Sequence, residues 1–266
     1  MENIANTLNE KITNQSSNKL LQILECLAKE RLPIQLQTLS TRVNMSQPTV
    51  LRYLKTLQKA NYVYQESSTS RYALTWKICG LADNIMSNLS LRSITSPFIN
   101  NLVNKLNLGV CLVIEQDYQC AYLDCLDPTP AFAQTLNRVG KLAPMHATGS
   151  GKLLLSQFTE TRFQELLAKR GLEKFTENTI TDETALRKEL QTVRESKIGM
   201  DNQECEPGLR CVSSPLISYS GSYIAAISVF GNVTDIDNER ITREIIPSLQ
   251  QATTTISKRL GYDGAC

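Results

Sequence analysis

The run Ser46-Gln47-Pro48-Thr49-Val50-Leu51-Arg52-Tyr53-Leu54-Lys55-Thr56-Leu57-Gln58-Lys59 contains no acidic residue, and Val50, Leu54 and Leu57 recur at the spacing of one helix face. Ser46 is placed as the N-cap, and Pro48 comes early enough that its missing N–H removes no interior hydrogen bond. Asn44-Met45 supplies the preceding turn, and Gln35 to Arg42 reads as a short helix with Leu36 and Leu39 inward. A longer helix is expected from Asn18 to Lys29, with Leu20, Leu21, Leu24, Leu27 and Ala28 on one face and Ser17 or Asn18 as its cap. Downstream, Tyr62 to Glu66 and Arg71 to Leu74 are strand-like runs separated by Ser67-Ser68-Thr69-Ser70, a polar turn.

Three helices followed by a hairpin predict a winged helix-turn-helix, whose third helix enters the major groove of double-stranded DNA. Burying Val50, Leu54 and Leu57 turns Gln47, Thr49, Arg52, Tyr53 and Thr56 outward or to the flank. Arg pairs bidentately with guanine and Gln with adenine, so Arg52 and Gln47 are the candidates for base contacts. Ser46, Thr49, Tyr53 and Lys55 carry donors for phosphate oxygens, which fix position but not sequence. Arg71, beside the hairpin tip, is placed to reach a minor groove. Each residue alone fits an ordinary solvated helix; the ordered set of elements separates the two readings.

Charge supports the division. Residues 1–90 carry ten Lys or Arg against six Asp or Glu, whereas residues 91–266 carry eighteen against twenty. A basic front segment beside a slightly acidic body fits a polyanion-binding module joined to a domain with another task. The N-terminus is polar, without the apolar core of a signal peptide, and no run of 18 apolar residues predicts a membrane span, so a cytoplasmic protein is expected. The eight cysteines include no CxxC pair and several lie in apolar runs, which reads as reduced, partly buried thiols; no metal or cofactor is expected.

From Trp76 to Leu89, Trp76, Ile78, Leu81, Ala82, Ile85, Met86 and Leu89 form an apolar stripe on one helix; a second copy of the chain is the simplest cover for it, and packing onto the chain's own second domain is the alternative. Beyond it, strands are expected at Val110 to Ile114, Ala121 to Asp124, Cys211 to Ile217 and Tyr223 to Phe230. Helices are expected at Ser150 to Gln157, Glu160 to Lys169, Glu183 to Glu195 and Asn238 to Leu260. An α+β domain with one antiparallel sheet packed against helices follows. The expected organisation is a tail over 1–17, a winged helix-turn-helix over 18–75, a linker helix over 76–91 and a second domain over 92–262.

The element order from Leu20 to Leu74, with Ser46 to Leu57 at its centre and Tyr72-Ala73-Leu74 closing the wing, resembles the IclR family of bacterial regulators. Three further pieces carry the resemblance: Met145-His146-Ala147-Thr148-Gly149-Ser150-Gly151-Lys152; Asp201-Asn202-Gln203-Glu204 with Glu206-Pro207-Gly208-Leu209-Arg210-Cys211; and Ala225-Ala226-Ile227-Ser228-Val229-Phe230-Gly231. The resemblance implies a GAF-like effector-binding domain, with Gly149, Ser150, Asp201, Cys211, Ser228 and Phe230 at pocket positions. It also implies a homodimer or dimer of dimers on a palindromic operator, more often a repressor, controlled by a small organic acid. The glycines and Ser150 are expected to expose backbone N–H groups to a carboxylate. Phe230 falls where relatives for very small keto acids carry serine, which favours a larger, partly apolar effector. A cysteine hydrolase or amidase using Cys211, His146 and Asp201 is the competing reading; it lacks a glycine-rich nucleophile elbow and leaves the basic front end unexplained.

Overall fold

The computed structural model describes residues 14–88, 90–128 and 139–264, with the side chains of 83–88 left out. The chain divides between Leu89 and Ser90 into two compact units. The first contains α1 (Gln15–Lys29), α2 (Leu36–Arg42), α3 (Gln47–Lys59), β1 (Val63–Gln65), β2 (Tyr72–Leu74) and α4 (Lys77–Asn88). α1 begins earlier than expected because Asn14, not Ser17 or Asn18, caps it, accepting from the Ser16 N–H. Ile23 and Leu27 fill the centre of this unit, whereas Leu21 is half exposed, off the buried face. Between α2 and α3, Asn44 takes the left-handed conformation (φ 50°), which asparagine tolerates better than most residues. β1 and β2 pair antiparallel across the 67–70 tip, and Ile34 bridges Tyr72, tying the wing to the segment before α2.

The second unit holds one six-stranded antiparallel sheet, in the order β5 (Leu142–Pro144), β4 (Gln119–Leu126), β3 (Gly109–Gln116), β8 (Tyr223–Asn232), β7 (Leu209–Ile217), β6 (Gly199–Asn202). Its helices are α5 (Leu91–Leu106), α6 (Gly149–Leu155), α7 (Glu160–Arg170), α8 (Glu183–Ser196), α9 (Asn238–Arg240) and α10 (Ile246–Arg259). The four expected strands are present, and β5 and β6 add short edges that the sequence pattern did not single out. α5 was also missed: Pro97 interrupts its pattern, yet Thr95, Ile99, Leu102, Val103 and Leu106 keep the period of a buried face. The expected C-terminal helix is interrupted by a π-helical turn at Ile241–Ile245.

Strand alternation sorts the sheet's two faces. Val110, Leu112, Val212, Leu216, Ala225, Ile227 and Val229 pack with Ile99, Leu102 and Val103 of α5 and Leu249 and Ile256 of α10. The intervening Cys111, Val113, Cys211 and Phe230 pack with Leu154 and Leu155 of α6, Phe163 and Leu166 of α7, and Leu186 and Leu190 of α8. The molecule is thus α+β, as expected.

α6 lies against β6 at a backbone-to-backbone approach. A Cβ on Gly199 would stand 2.0 Å from the Gly149 carbonyl oxygen, and a Cβ on Gly149 would meet Gly199 O at 2.9 Å. Gly199→Ala therefore forces α6 off the sheet and is expected to cost roughly 1–3 kcal/mol or more. Gly80→Ala, on α4 with no atom near the added carbon, should be neutral or stabilise by roughly 0.5–1 kcal/mol. Urea denaturation of the two variants beside the parent checks the contrast; equal midpoints would remove the steric argument.

Candidate functional site

In the first unit, α3 turns Val50, Tyr53, Leu54 and Leu57 inward. Gln47, Arg52, Lys55, Thr56 and Lys59 are exposed, Thr49 is half-buried, and Arg71 is exposed at the wing. Arg52, Lys55 and Lys59 share the solvent side with no carboxylate on the same helix, which leaves a cationic stripe. Tyr53 corrects the outward orientation expected of it: its ring belongs to the core, and its hydroxyl lies 2.9 Å from Ser16 Oγ of α1. That hydrogen bond holds the phenol below its usual pKa, and Tyr53 ties α3 to α1 rather than facing outward with Arg52. Ser46 is the N-cap residue, but its hydroxyl pairs with Thr49 Oγ1 (2.9 Å) instead of a backbone N–H.

In the second unit, Ser150 from α6, Asp201 from β6, Cys211 from β7 and Ser228 and Phe230 from β8 line one cavity, together with Cys111, Tyr122, Thr148, Cys205 and Leu209. The register explains the convergence: Cys211 stands opposite both Asp201 and Phe230, and Ser228 opposite both Cys111 and Ser213. The cavity measures about 20 Å³, room for a single water. The Phe230 ring lies directly over Gly109, where a Cβ would stand 2.1 Å from the ring carbon Cζ. Phe230 thus occupies space at this site rather than enlarging it.

Gly149 does not line the cavity; its missing side chain admits the Gly199 backbone. Nor does the start of α6 offer all its N–H groups, because Gly151 N–H donates to the capping hydroxyl of Thr148 (3.2 Å), which itself donates to Pro144 O (2.8 Å). Of the expected helix-start donors, Gly151 N–H is therefore engaged by the cap, and Ser150 is the α6 residue that reaches the cavity.

Asp201 organises the loop between β6 and β7. Its Oδ1 accepts from Glu204 N (2.7 Å) and its Oδ2 from the Cys211 thiol (3.6 Å). Burial, reinforced by the nearby Glu204 charge, pushes its pKa up to about 6, against the lowering effect of the Glu204 N–H. Lys152, on the α6 turn that carries Ser150, is almost fully buried and donates to Glu204 Oε1 (2.7 Å) and to Glu189 of α8 (3.0 Å). Burial alone would lower its pKa, but the two carboxylates outweigh it and keep the ammonium charged. No local pattern announces this clamp, since its partners are 37 and 52 residues away.

His146 lies elsewhere. Its Nε2 is 2.9 Å from Glu173 O, its ring faces Phe175, and it borders a separate open cleft of about 360 Å³ with Tyr118, Lys169 and Arg170. Burial lowers its pKa. His146 and Cys211 thus border different cavities, with Cys211 bonded to Asp201, which does not favour the hydrolase constellation. The reduced-thiol expectation fails at one pair: Cys111 and Cys125, directly opposite on β3 and β4, are joined by a disulfide. Among the described residues no group of three or more metal-ligating side chains is assembled, and no helix is long and apolar enough to cross a membrane.

A winged helix-turn-helix unit and a separate sheet unit with a small cavity define a two-part DNA-binding regulator. Comparison with known proteins agrees. The bacterial transcriptional regulator IclR C-terminal family matches residues 83–258, and the IclR helix-turn-helix domain matches residues 17–67. The HTH-type transcriptional regulator KdgR of Escherichia coli (strain K12) is 31% identical over 244 residues, 92% of each chain. The transcriptional repressor IclR of the same organism is 26% identical, over 86% of this chain and 84% of that one. A solved IclR transcriptional regulator from Silicibacter sp. TM1040 shares the fold at TM-score 0.73, with 23% identity over 95% of this chain and 98% of that one. The inducer-binding domain of PobR from Acinetobacter, solved as a double mutant with 3-hydroxybenzoic acid, superposes at TM-score 0.57, with 25% identity over 64% of this chain and 98% of that one. The chain belongs to the IclR family of bacterial transcriptional regulators, and its second unit has the GAF-like α+β fold of that family.

The buried clamp makes a stability prediction. Lys152→Met leaves two carboxylates facing each other without their cation and should cost roughly 3–5 kcal/mol. Combining it with Glu204→Gln should recover part of that loss in a double-mutant cycle by urea denaturation. Additive losses would show that the two side chains do not act as a pair.

Proposed function

We propose that the protein is a sequence-specific repressor of the bacterial cytoplasm whose grip on a palindromic operator is set by a small organic acid in the Ser150–Asp201–Ser228 cavity. The convergence of residues from α6, β6, β7 and β8 on one small cavity, with polar side chains set in a largely apolar lining and in a unit separate from the head, carries this reading. For the head, support comes from the exposed, acid-free side of α3. Arg52 and Gln47 are assigned to base edges, Lys55, Thr56, Thr49 and Ser46 to phosphates, and Arg71 to the minor groove. Tyr53 acts behind Arg52, whose guanidinium lies 5.2 Å from the Tyr53 ring centre. Trp76, 87% exposed, and Leu81, 47% exposed, lie on or beside α4 as apolar surface for a second copy. A dimer, alone or paired again, presents two α3 helices to successive major grooves.

The cavity also indicates how the acid is recognised. Hydroxyls of Ser150 and Ser228 supply donors, the Thr148 proton being engaged on Pro144 O, while the Asp201 carboxyl opposes an anion once ionised. Entry of any organic acid requires a wall to move, and Phe230 is the apolar wall with the most volume to yield. The ring favours an acid with an apolar or aromatic part, in keeping with the acid bound by the PobR domain. Effector binding then changes the balance between DNA-competent and incompetent arrangements, with α4 as the connecting element.

Two measurements test the two halves. In gel shifts, Arg52→Ala should lose roughly 1–3 kcal/mol on the operator and relax sequence preference, whereas Lys55→Ala should weaken all DNA alike and lower the salt slope by about 1. If both variants bound as the parent does, α3 would not be the reading helix. In calorimetry, Phe230→Ser should admit two- and three-carbon keto acids that the parent binds at least about tenfold more weakly, a difference of about 1.4 kcal/mol. Binding of such anions should also weaken as pH rises through about 6, because Asp201 loses its proton there. Unchanged affinities in the variant would place the effector site elsewhere.

A further inference from the structure

Three cysteines, Cys111, Cys205 and Cys211, line the cavity, and one of them is covalently joined to a residue outside its lining. Cys111 on β3 and Cys125 on β4 are direct register partners with Cα atoms 4.1 Å apart. Cys111 is almost completely buried, while Cys125 keeps 8% of its surface in contact with solvent. The next residue but one along β3 from Cys111 is Gly109, over which the Phe230 ring rests, so the bonded pair adjoins the wall assigned above to effector entry.

We infer that Cys111 and Cys125 form a reversible thiol–disulfide modification site that sets the shape of the cavity. The role of the bond in effector response rests on the effector reading of that cavity; the bond's formation does not. In a reducing compartment a disulfide of this kind acts transiently, as a sensor, rather than as a permanent brace. With hydrogen peroxide as oxidant, the Cys125 thiolate attacks a peroxide oxygen and the O–O bond breaks, giving a sulfenic acid and a hydroxide that takes up the proton the thiol had lost and leaves as water. The Cys111 thiolate then attacks the sulfenic sulfur, forming the S–S bond and releasing a second water once the displaced hydroxide takes up a proton. Two thiols and one hydrogen peroxide thus become one disulfide and two waters. A low-molecular-weight thiol reverses the step by exchange, through a mixed disulfide.

The structural consequence follows from sulfur positions. Bonded sulfurs stand about 2 Å apart, whereas unbonded ones separate to van der Waals contact, roughly 3.5–4 Å. With Cys125 held by β4, the Cys111 sulfur of the reduced pair moves away from it, and the space beside it is a cavity that holds one water. Reduction therefore narrows the cavity, and oxidation retracts the sulfur and opens it. Cys120, on the same strand as Cys125, is the poorer sensor: it is fully enclosed beside Thr148, and burial pushes its thiol up to about 11, which keeps it protonated.

The test uses the full chain. Protein reduced with dithiothreitol or treated with hydrogen peroxide is blocked with N-ethylmaleimide, digested and weighed; a linked Cys111–Cys125 peptide pair only after peroxide is expected. In parallel, the rate of Cys211 alkylation by iodoacetamide reports access to the cavity. It should be faster in the oxidised form by about fivefold or more, the low end of ordinary coupling between sites. Cys125→Ser, outside the cavity lining, should abolish the difference, and should it fail to fold, the parent in its two redox states carries the comparison alone. A pair that stays unlinked after peroxide, or a linked pair with an unchanged Cys211 rate, overturns the proposal. Protection of Cys211 by 3-hydroxybenzoate is scored separately. Its absence alongside an intact redox difference would count against the effector reading while supporting the switch.

Discussion

The three central strands of the second unit are covered on both faces, and this double coverage governs the layout around them. A strand buried on one side alternates apolar with polar residues; one buried on both sides must present two different inward sets. In β3, β7 and β8 the set facing α5 and α10 is mainly aliphatic, with Val110, Leu112, Val212, Ile227 and Val229 among it, and Ser214 is the polar member, paired with Thr253 of α10. The opposite set is mixed: Cys111, Cys211, Ser213, Ser228 and Phe230. Small and weakly polar side chains on that face leave room and hydrogen-bonding capacity, such as the Ser213 hydroxyl donating to Ser228 at 2.9 Å. The cavity is where the second set stops packing tightly.

Charge is handled differently in the two units. On α3 the cations are left in water, where they are mobile and screened and where a polyanion can displace their counterions. In the second unit, Lys152 is taken out of water altogether, which is tolerable only because Glu204 and Glu189 meet it at hydrogen-bond distance. One Glu204 oxygen has no hydrogen-bond partner among the described residues. The cost of burying this group fixes Asp201 at the end of β6 and the following loop with Cys205 relative to α6, so two walls of the cavity are held by one ammonium.

Much of the head was legible because its signals are local. Helix period, the Asn44 turn, the position of Pro48 and the polar wing tip each act within a few residues, and the structure reproduces them. Tyr53 was misread because the group that draws it inward, Ser16, lies outside the helix-turn-helix pattern. In the second unit, four of the strands could be read from their apolar runs, and five of the six residues assigned by motif resemblance line the cavity. Gly149, assigned to ligand contact, carries a steric demand that no local pattern shows, set by a strand that begins fifty residues later. The Lys152 clamp and the Cys111–Cys125 bond depend on sheet order and register, which no local pattern encodes. α5 was hidden by Pro97, although its buried period continues through it.

The Gly149–Gly199 approach has an evolutionary meaning. Neither position accepts a side chain unless α6 withdraws from the sheet, so drift at one cannot be repaired by a change at the other. Positions such as 111, 211 and 230 are free of that restriction, since their side chains reach into the cavity rather than into a backbone. A lineage of such proteins can therefore exchange the chemistry of the chamber while inheriting its frame unchanged, and new signals can be acquired without inventing a new sensor.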